Sequence, residues 1–400
     1  MAAADELARF RDMMHGADVW RRATPLPPPA LVPFTVSMRS ACALGWLYHH
    51  QRLTVLGAPV DACDADDDGG GGGASLCRVG ARWGKESERV RSWRMCPVVV
   101  CAAAAQPPLR RSDPRLVGVK LCRAADPSTT AERELMLMLR GAARDLVGVP
   151  HLRCWLAPPS DDPRRYEFAV YDYYAGGDLR AWRHRVHATT RGDAARIERA
   201  VLAVTRPVAV ALAYLHSMRI AHMDVKPANV ALTWDARPVL IDFGLACVID
   251  TAAADTTQPR HRTMCRGTPL FMAPELLRGV EPPATMDARL CDAWSFGAML
   301  MELVTADRRT PYGHLGDALL SRSHKRHAAM LPALDAPRVT RMRCAHGAPS
   351  ASFQDLVCHR LVVVDVTRRW SLSHALLAPH DWFASPRQRQ SSQRRRRMSL

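Results

Sequence analysis

The sequence predicts an α+β fold of two lobes, a small β-rich first lobe with one helix and a larger, mostly helical second lobe. Between Ser75 and Ala125 the apolar residues fall in short β-branched runs, Pro97–Cys101 and Leu116–Cys122, joined by a turn with Pro107, Pro108 and Pro114. After Gly177 the pattern becomes helical over Ala194–Leu215, Ala288–Val304 and Ser352–Val363. Strands gathered ahead of helices, without alternation, argue against a parallel-sheet fold.

The lone helix of the first lobe is expected over Ala131–Ala142, capped by Thr129 or Thr130 and with acidic residues in its first turn. Tyr166–Tyr174 reads as a further strand. Ahead of these, residues 1–74 read as an extension, partly disordered. A short amphipathic helix through Leu7, Phe10, Met13 and Met14 is stopped by the proline-rich Thr24–Pro33. The acidic stretch from Asp64 runs into Gly69–Gly73, with little to bury and much entropy to lose. Leu53–Leu56 is strand-like and is compatible with membership of the following domain.

The chain has 400 residues, 48% hydrophobic and 24% charged, an ordinary globular balance. Its formal charge of +16 is not ordinary and favours acidic or phosphate-bearing partners. Part of that charge sits in a basic tail, residues 386–400, with Arg387, Arg389 and Arg394–Arg397. The 12 cysteines are scattered, without zinc-site pairing or the density of a disulfide scaffold, which suits a reduced compartment. No apolar run reaches the ~18 residues of a membrane span. The start, Met1–Arg11, carries Asp5 and Glu6 and lacks the apolar core of a secretory signal. An intracellular protein, in cytoplasm or nucleus, is the expectation.

The segment His222-Met223-Asp224-Val225-Lys226-Pro227-Ala228-Asn229 crowds three polar groups between apolar flanks. Phosphoryl transfer needs a carboxylate to orient a hydroxyl and take its proton, a cation near the transferring phosphate, and an oxygen ligand for magnesium. Asp224, Lys226 and Asn229 supply these in order. Downstream, the apolar Val239-Leu240-Ile241 ends in Asp242-Phe243-Gly244, which puts a hard oxygen ligand at a strand mouth.

These segments resemble the eukaryotic serine/threonine protein kinase family. The resemblance continues through Gly267–Glu275 with its Ala-Pro-Glu end, Asp292–Gly297 and Asp365–Arg369. Upstream, Val117-Gly118-Val119-Lys120 is similar to the family's Val-Ala-Ile-Lys strand, and Val170–Leu179 to its hinge. It implies a kinase domain over residues 75–385, with an N-lobe to about 171 and a C-lobe from about 175. It implies that Asp224 is the catalytic base, that Lys226 steadies the γ-phosphate, and that Asn229 and Asp242 hold Mg2+. Lys120 would contact the α- and β-phosphates of ATP and pair with a helix glutamate: Glu134 is the choice, with Met138 one turn on, and Glu132 the alternative. Tyr171 would be the gatekeeper, backbone from Asp172 to Tyr174 would meet adenine, and Asp178 would reach the ribose. Glu275 would pair with Arg369, and Asp292 would brace the catalytic loop. Lys226-Pro227 and Thr268 are similar to serine/threonine rather than tyrosine kinases, so the implied partners are proteins with Ser/Thr acceptors.

Two departures stand out. The family's Gly-x-Gly-x-x-Gly is represented only by Gly80 and Gly84 in Val79–Lys85, which read equally as turn glycines. Met223 replaces a common arginine whose charge receives an activation-segment phosphate, so phosphorylation of Thr256, Thr257 or Thr263 is expected to be dispensable. The His- and Arg-rich stretch 307–350 reads as a surface insertion. The alternative readings are a pseudokinase scaffold, which the short glycine loop favours, then a small-molecule phosphotransferase, then a nucleic-acid-binding protein driven by the basic tail. The tail also reads as a nuclear-targeting patch with Ser399 as a basophilic phosphosite. The Ala- and Arg-rich texture is similar to kinases of large DNA viruses, which would place the protein in a host cell.

Overall fold

The computed structural model describes residues 54–56, 74–78, 96–102, 116–123, 126–142, 148–157, 166–172, 174, 176–249, 267–278, 287–315, 331–338, 342–378, 380 and 382–383. Two lobes emerge. The first is a sheet of six antiparallel strands: β1 (Thr54–Leu56), β2 (Ala74–Arg78), β3 (Cys96–Ala102), β4 (Leu116–Arg123), β5 (Leu152–Ala157) and β6 (Tyr166–Asp172). Their order is β1-β5-β6-β4-β3-β2. The edge strand β1 pairs with β5, so Thr54–Leu56 joins the sheet.

One helix, α1 (Pro127–Ala142), packs against this sheet. It begins earlier than the threonines suggested: Asp126 Oδ1 accepts the Ser128 amide at 2.9 Å, with Pro127 as the first helical residue. The buried face is Glu132, Leu135, Met136 and Leu139, the i, i+3, i+4, i+7 stripe of an amphipathic helix. Glu134 is exposed, and so is Met138, at 49%.

Strand alternation sets what the helix meets. On β4, Lys120 and Cys122 are buried; on β6, Glu167, Ala169 and Tyr171 are buried, with Trp155 of β5 beside them. The register pairs Lys120 with Ala169 and Cys122 with Glu167.

The second lobe is built on α2 (Leu179–Thr189), α3 (Ala194–Ser217) and α5 (Ala288–Val304), after the short α4 (Pro274–Leu277). Asp178, Asp193 and Asp287 cap α2, α3 and α5 by accepting backbone amides. Helix α3 is long and apolar enough to cross a membrane, but 72% of that stretch is buried inside the fold, so its hydrophobicity serves the core. Gly297 is required by packing: a Cβ there would lie 2.7 Å from Val362 Cγ2, where α5 meets the π-helical turn Leu356–Leu361 that continues α6 (Ala351–Asp355). Helix α7 (Leu372–Leu377) closes the bundle.

The described end of the 307–350 stretch is docked against the fold. His346 donates to Gly192 O at 3.0 Å and accepts from Ala194 N at 3.1 Å. Short strands carry the cleft: β7 (Gly177–Asp178), β9 (Val230–Leu232) and β10 (Pro238–Leu240) form one ribbon, and β8 (Ile220–Ala221) pairs with β11 (Cys247–Val248) in another.

Candidate active site

The loop from His222 to Lys226 leaves β8 and enters a 3-10 turn, Pro227–Asn229, that leads into β9. Asp292, fully buried on α5, fixes its backbone: Oδ2 accepts His222 N at 2.7 Å and Oδ1 accepts Met223 N at 2.8 Å. A third group, His216 Nε2, lies 2.9 Å from Oδ2. These bonds hold Met223 at a φ of 64°, a left-handed conformation uncommon for a residue with a side chain. The His222 ring stands edge-on to Phe243 at 4.9 Å and its Nε2 is 3.0 Å from Ile241 O, tying the loop to the Asp242 turn.

Asp224 is thereby presented with both carboxylate oxygens engaged. Oδ2 accepts Lys226 Nζ at 2.5 Å and Asn229 Nδ2 at 2.9 Å. Oδ1 accepts Thr268 Oγ1 at 2.9 Å and Thr268 N at 3.1 Å. Lys226 Nζ also donates to Thr268 Oγ1 at 2.6 Å. Gly267 makes the approach of Thr268 workable, since its φ of 133° suits only glycine. Asn229 spends its amide nitrogen on Asp224, through the side chain and, at 2.9 Å, the backbone carbonyl, which leaves Oδ1 as its acceptor.

The two lobes meet at Lys120. Its Nζ donates to Glu132 at 2.5 and 2.7 Å and to Asp242 Oδ1 at 2.8 Å. Burial pulls the ammonium pKa down, but the Asp242 and Glu132 carboxylates pull harder, and it ends above the ordinary lysine value. Asp242 resists the upward push of burial because Lys120 is beside it, and ends below the usual carboxylate range. Glu132, wholly buried, is pushed up by burial against the pull of Lys120. Gly244 lies against the cluster: a Cβ there would come to 3.3 Å from both Asp242 Oδ1 and Glu132 Oε2.

The expected partner of Lys120, Glu134, is corrected to Glu132. Met138, expected on the inner face, lies on the exposed face with Glu134, whereas Glu132 shares the buried stripe. Tyr171 is buried, and the Asp172 amide donates to His151 O at 3.2 Å. The Asp172 side chain lies 3.2 Å from His151 Nδ1, and Tyr174 Oη accepts the His151 amide at 3.1 Å. Asp178 Oδ1 accepts Ala181 N at 2.8 Å, so that oxygen serves as the helix cap. Glu275 and Arg369 form an ion pair at 2.6 Å beneath the site, with the guanidinium over Trp294. Gly80, Gly84, Thr256, Thr257 and Thr263 lie outside the described residues.

The donor set suits a magnesium nucleotide. Asn229 Oδ1 and the Asp242 carboxylate are hard oxygen ligands, and Lys120 and Lys226 are cations suited to phosphate oxygens.

Residues 161–383, more than half of the chain, match the family described as the protein kinase domain. The chain belongs to this family. The match starts just ahead of β6, so Lys120 and Glu132 lie upstream of it and enter the kinase site through the fold. Among curated proteins, the kinase domain is similar to serine/threonine-protein kinase Sgk2 of Rattus norvegicus, 33% identical over 195 residues, covering 49% of this chain and 48% of that protein. It is also similar to misshapen-like kinase 1 of Rattus norvegicus, 38% identical over 148 residues, 37% of this chain and 10% of that protein. CBL-interacting protein kinase 4 of Oryza sativa subsp. japonica is 38% identical over 116 residues, 29% of this chain and 24% of that protein. The chain thus spans less than half the length of each of these relatives.

Proposed function

We propose that this chain is an ATP- and Mg2+-dependent kinase that phosphorylates serine and threonine hydroxyls of proteins. The observation that carries this reading is the arrangement around Asp224, a carboxylate bonded by Lys226, Asn229 and Thr268. Asp224 orients the acceptor hydroxyl and takes its proton as the oxygen attacks phosphorus. Lys226, already beside Asp224 and Thr268, offers its charge to the transferring phosphate. Lys120 binds the other phosphates, and Glu132 and Asp242 fix where its ammonium sits. Asn229 and Asp242 would hold the metal, whose role when bound is to neutralise charge on the phosphate oxygens. Backbone of Asp172–Tyr174 is read as the adenine contact, and Asp178 as a ribose contact through the carboxylate oxygen its cap leaves over.

Thr268 belongs with this group because it touches both Asp224 and Lys226. The kinase domain is read as residues 75–385, with Thr54–Leu56 contributing an edge strand and the basic tail, 386–400, as a polyanion-contacting segment. The test is phosphoamino-acid analysis of an acceptor protein treated with wild type and with Lys120→Ala, with and without Mg2+. Phosphoserine or phosphothreonine that requires both Mg2+ and Lys120 is the expected result; phosphotyrosine, or label independent of either, overturns the reading.

A further inference from the structure

Next to Glu132 on α1 stands Arg133, which the chemistry above does not use. Its Nη1 reaches both oxygens of Glu167 on β6, at 3.0 and 2.8 Å. Glu167 is 1% exposed, and its Oε2 also accepts the indole Nε1 of the fully buried Trp155 at 2.7 Å. A carboxylate this deep persists only where hydrogen bonds and a countercharge replace water.

The placement of this cluster gives it a purpose. Successive helix residues point about 100° apart, so Glu132 and Arg133 address different points on the sheet. Glu167 pairs with Cys122, two residues along β4 from Lys120 and on the same face. Helix α1 is therefore attached to the sheet at two neighbouring points, Glu132 to Lys120 and Arg133 to Glu167. The first attachment shares the Lys120 ammonium with Asp242 and with the phosphates it is read to bind. The second ends on a buried carboxylate, with Arg133 itself half-buried, and lies apart from the phosphate-facing groups, so it can hold the helix while the first is in use.

We propose that Arg133, Glu167 and Trp155 form a positioning clamp that keeps α1 docked and Glu132 within reach of Lys120. These are positioning residues: they act through Glu132 and touch neither substrate nor nucleotide. The clamp rests on the proposed function only for its consequence in turnover; its effect on Lys120 is separate. Arg133→Met with Glu167→Gln removes both charges together and leaves Trp155 an acceptor, so no carboxylate is stranded.

The experiment compares wild type, this double variant, Glu132→Gln and the triple combination in the full chain. Two readouts are taken: kcat/KM for ATP, and the rate at which an amine-acylating reagent labels Lys120, followed by mass spectrometry. The double variant is expected to lose about tenfold in kcat/KM and to label several-fold faster, a coupling typical of contacting residues. In the Glu132→Gln background it should change neither readout further, because the clamp acts through Glu132. Arg133→Lys, which keeps a cation and a donor beside Glu167, should recover most of the loss. Effects that multiply in the triple variant mean general destabilisation and overturn the proposal, as does a double variant indistinguishable from wild type. A wild type without phosphotransfer overturns the proposed function alone, since Lys120 labelling still decides the clamp.

Discussion

Lys120 and Asp242, 122 residues apart in sequence, are 2.8 Å apart, and this contact joins the sheet of one lobe to the helical core of the other. Glu132 completes a cluster of one cation and two carboxylates in which Lys120 and Glu132 are buried and Asp242 is half-buried. Substituting Lys120→Met strands both carboxylates and is expected to cost about 3 kcal/mol near neutral pH.

The pH dependence of that cost follows from the shifts. Asp242 is depressed, so its contribution is present above the unfolded value of about 3.9 and is lost as pH falls through its lower folded value. Lys120 is raised, so its contribution is complete below about 10.4 and is lost only as pH climbs through its higher folded value. In Lys120→Met the stranded carboxylates take up protons more readily still. Glu132 is already raised by burial and rises further when stranded, so denaturant titrations should show the gap to wild type shrinking as pH falls toward about 4. A gap that widens in acid would refute the assignment.

Glu132 and Glu134 separate cleanly by substitution. Glu132→Gln is expected to lower kcat/KM at least about tenfold, since it weakens the hold on Lys120. Glu134→Gln, on the exposed face, should stay within about twofold and within about 0.5 kcal/mol in stability. Reversal of that order in steady-state kinetics would show that α1 turns its other face to the cleft.

In the sequence, Glu132 ranks second to Glu134 for a physical reason. Two glutamates two residues apart, Glu132 and Glu134, cannot be ranked without knowing which face is buried, and an isolated methionine is a poor guide because methionines are tolerated on surfaces. The stripe Leu135, Met136 and Leu139 was the better signal, as Glu132 lies three, four and seven residues before them. The catalytic loop was legible because its chemistry is local: Asp224, Lys226 and Asn229 are close in sequence and close in space. So was α5, whose bounds at Ala288 and Val304 follow from a mostly apolar run behind Asp287. The Arg133–Glu167 pair was not legible, because it joins strands and helix across 34 residues and only the sheet register brings it together.

Met223 is buried at 5% exposure where an arginine would meet a phosphate. The described ends of the segment that follows are held by bonds within the chain: Ile249 N donates to Arg219 O at 2.7 Å, and Thr268 Oγ1 donates to Asp224 Oδ1 at 2.9 Å. Replacing Thr256, Thr257 and Thr263 together by alanine should leave phosphotransfer within about threefold of wild type. Loss of turnover on treatment with a phosphatase, restored by rephosphorylation, would contradict this.

Arg369, with its side chain inaccessible, donates to Glu275 and to the carbonyls of Leu290 and Val363. Arg369→Leu is expected to destabilise the helical lobe by about 3 kcal/mol. Below the lowered melting temperature, KM for ATP should not move. A changed KM with unchanged stability would give the pair a part in nucleotide binding.

The central claim is that Asp224 serves as the base for transfer to a hydroxyl, and Asp224→Asn tests it most directly. Wild type should move radiolabelled γ-phosphate onto serine or threonine of an acceptor protein. Asp224→Asn should do so at least about 100-fold more slowly, with nucleotide affinity within about threefold. Equal rates for the two proteins, or no transfer by wild type under conditions where it binds the nucleotide, would contradict the account.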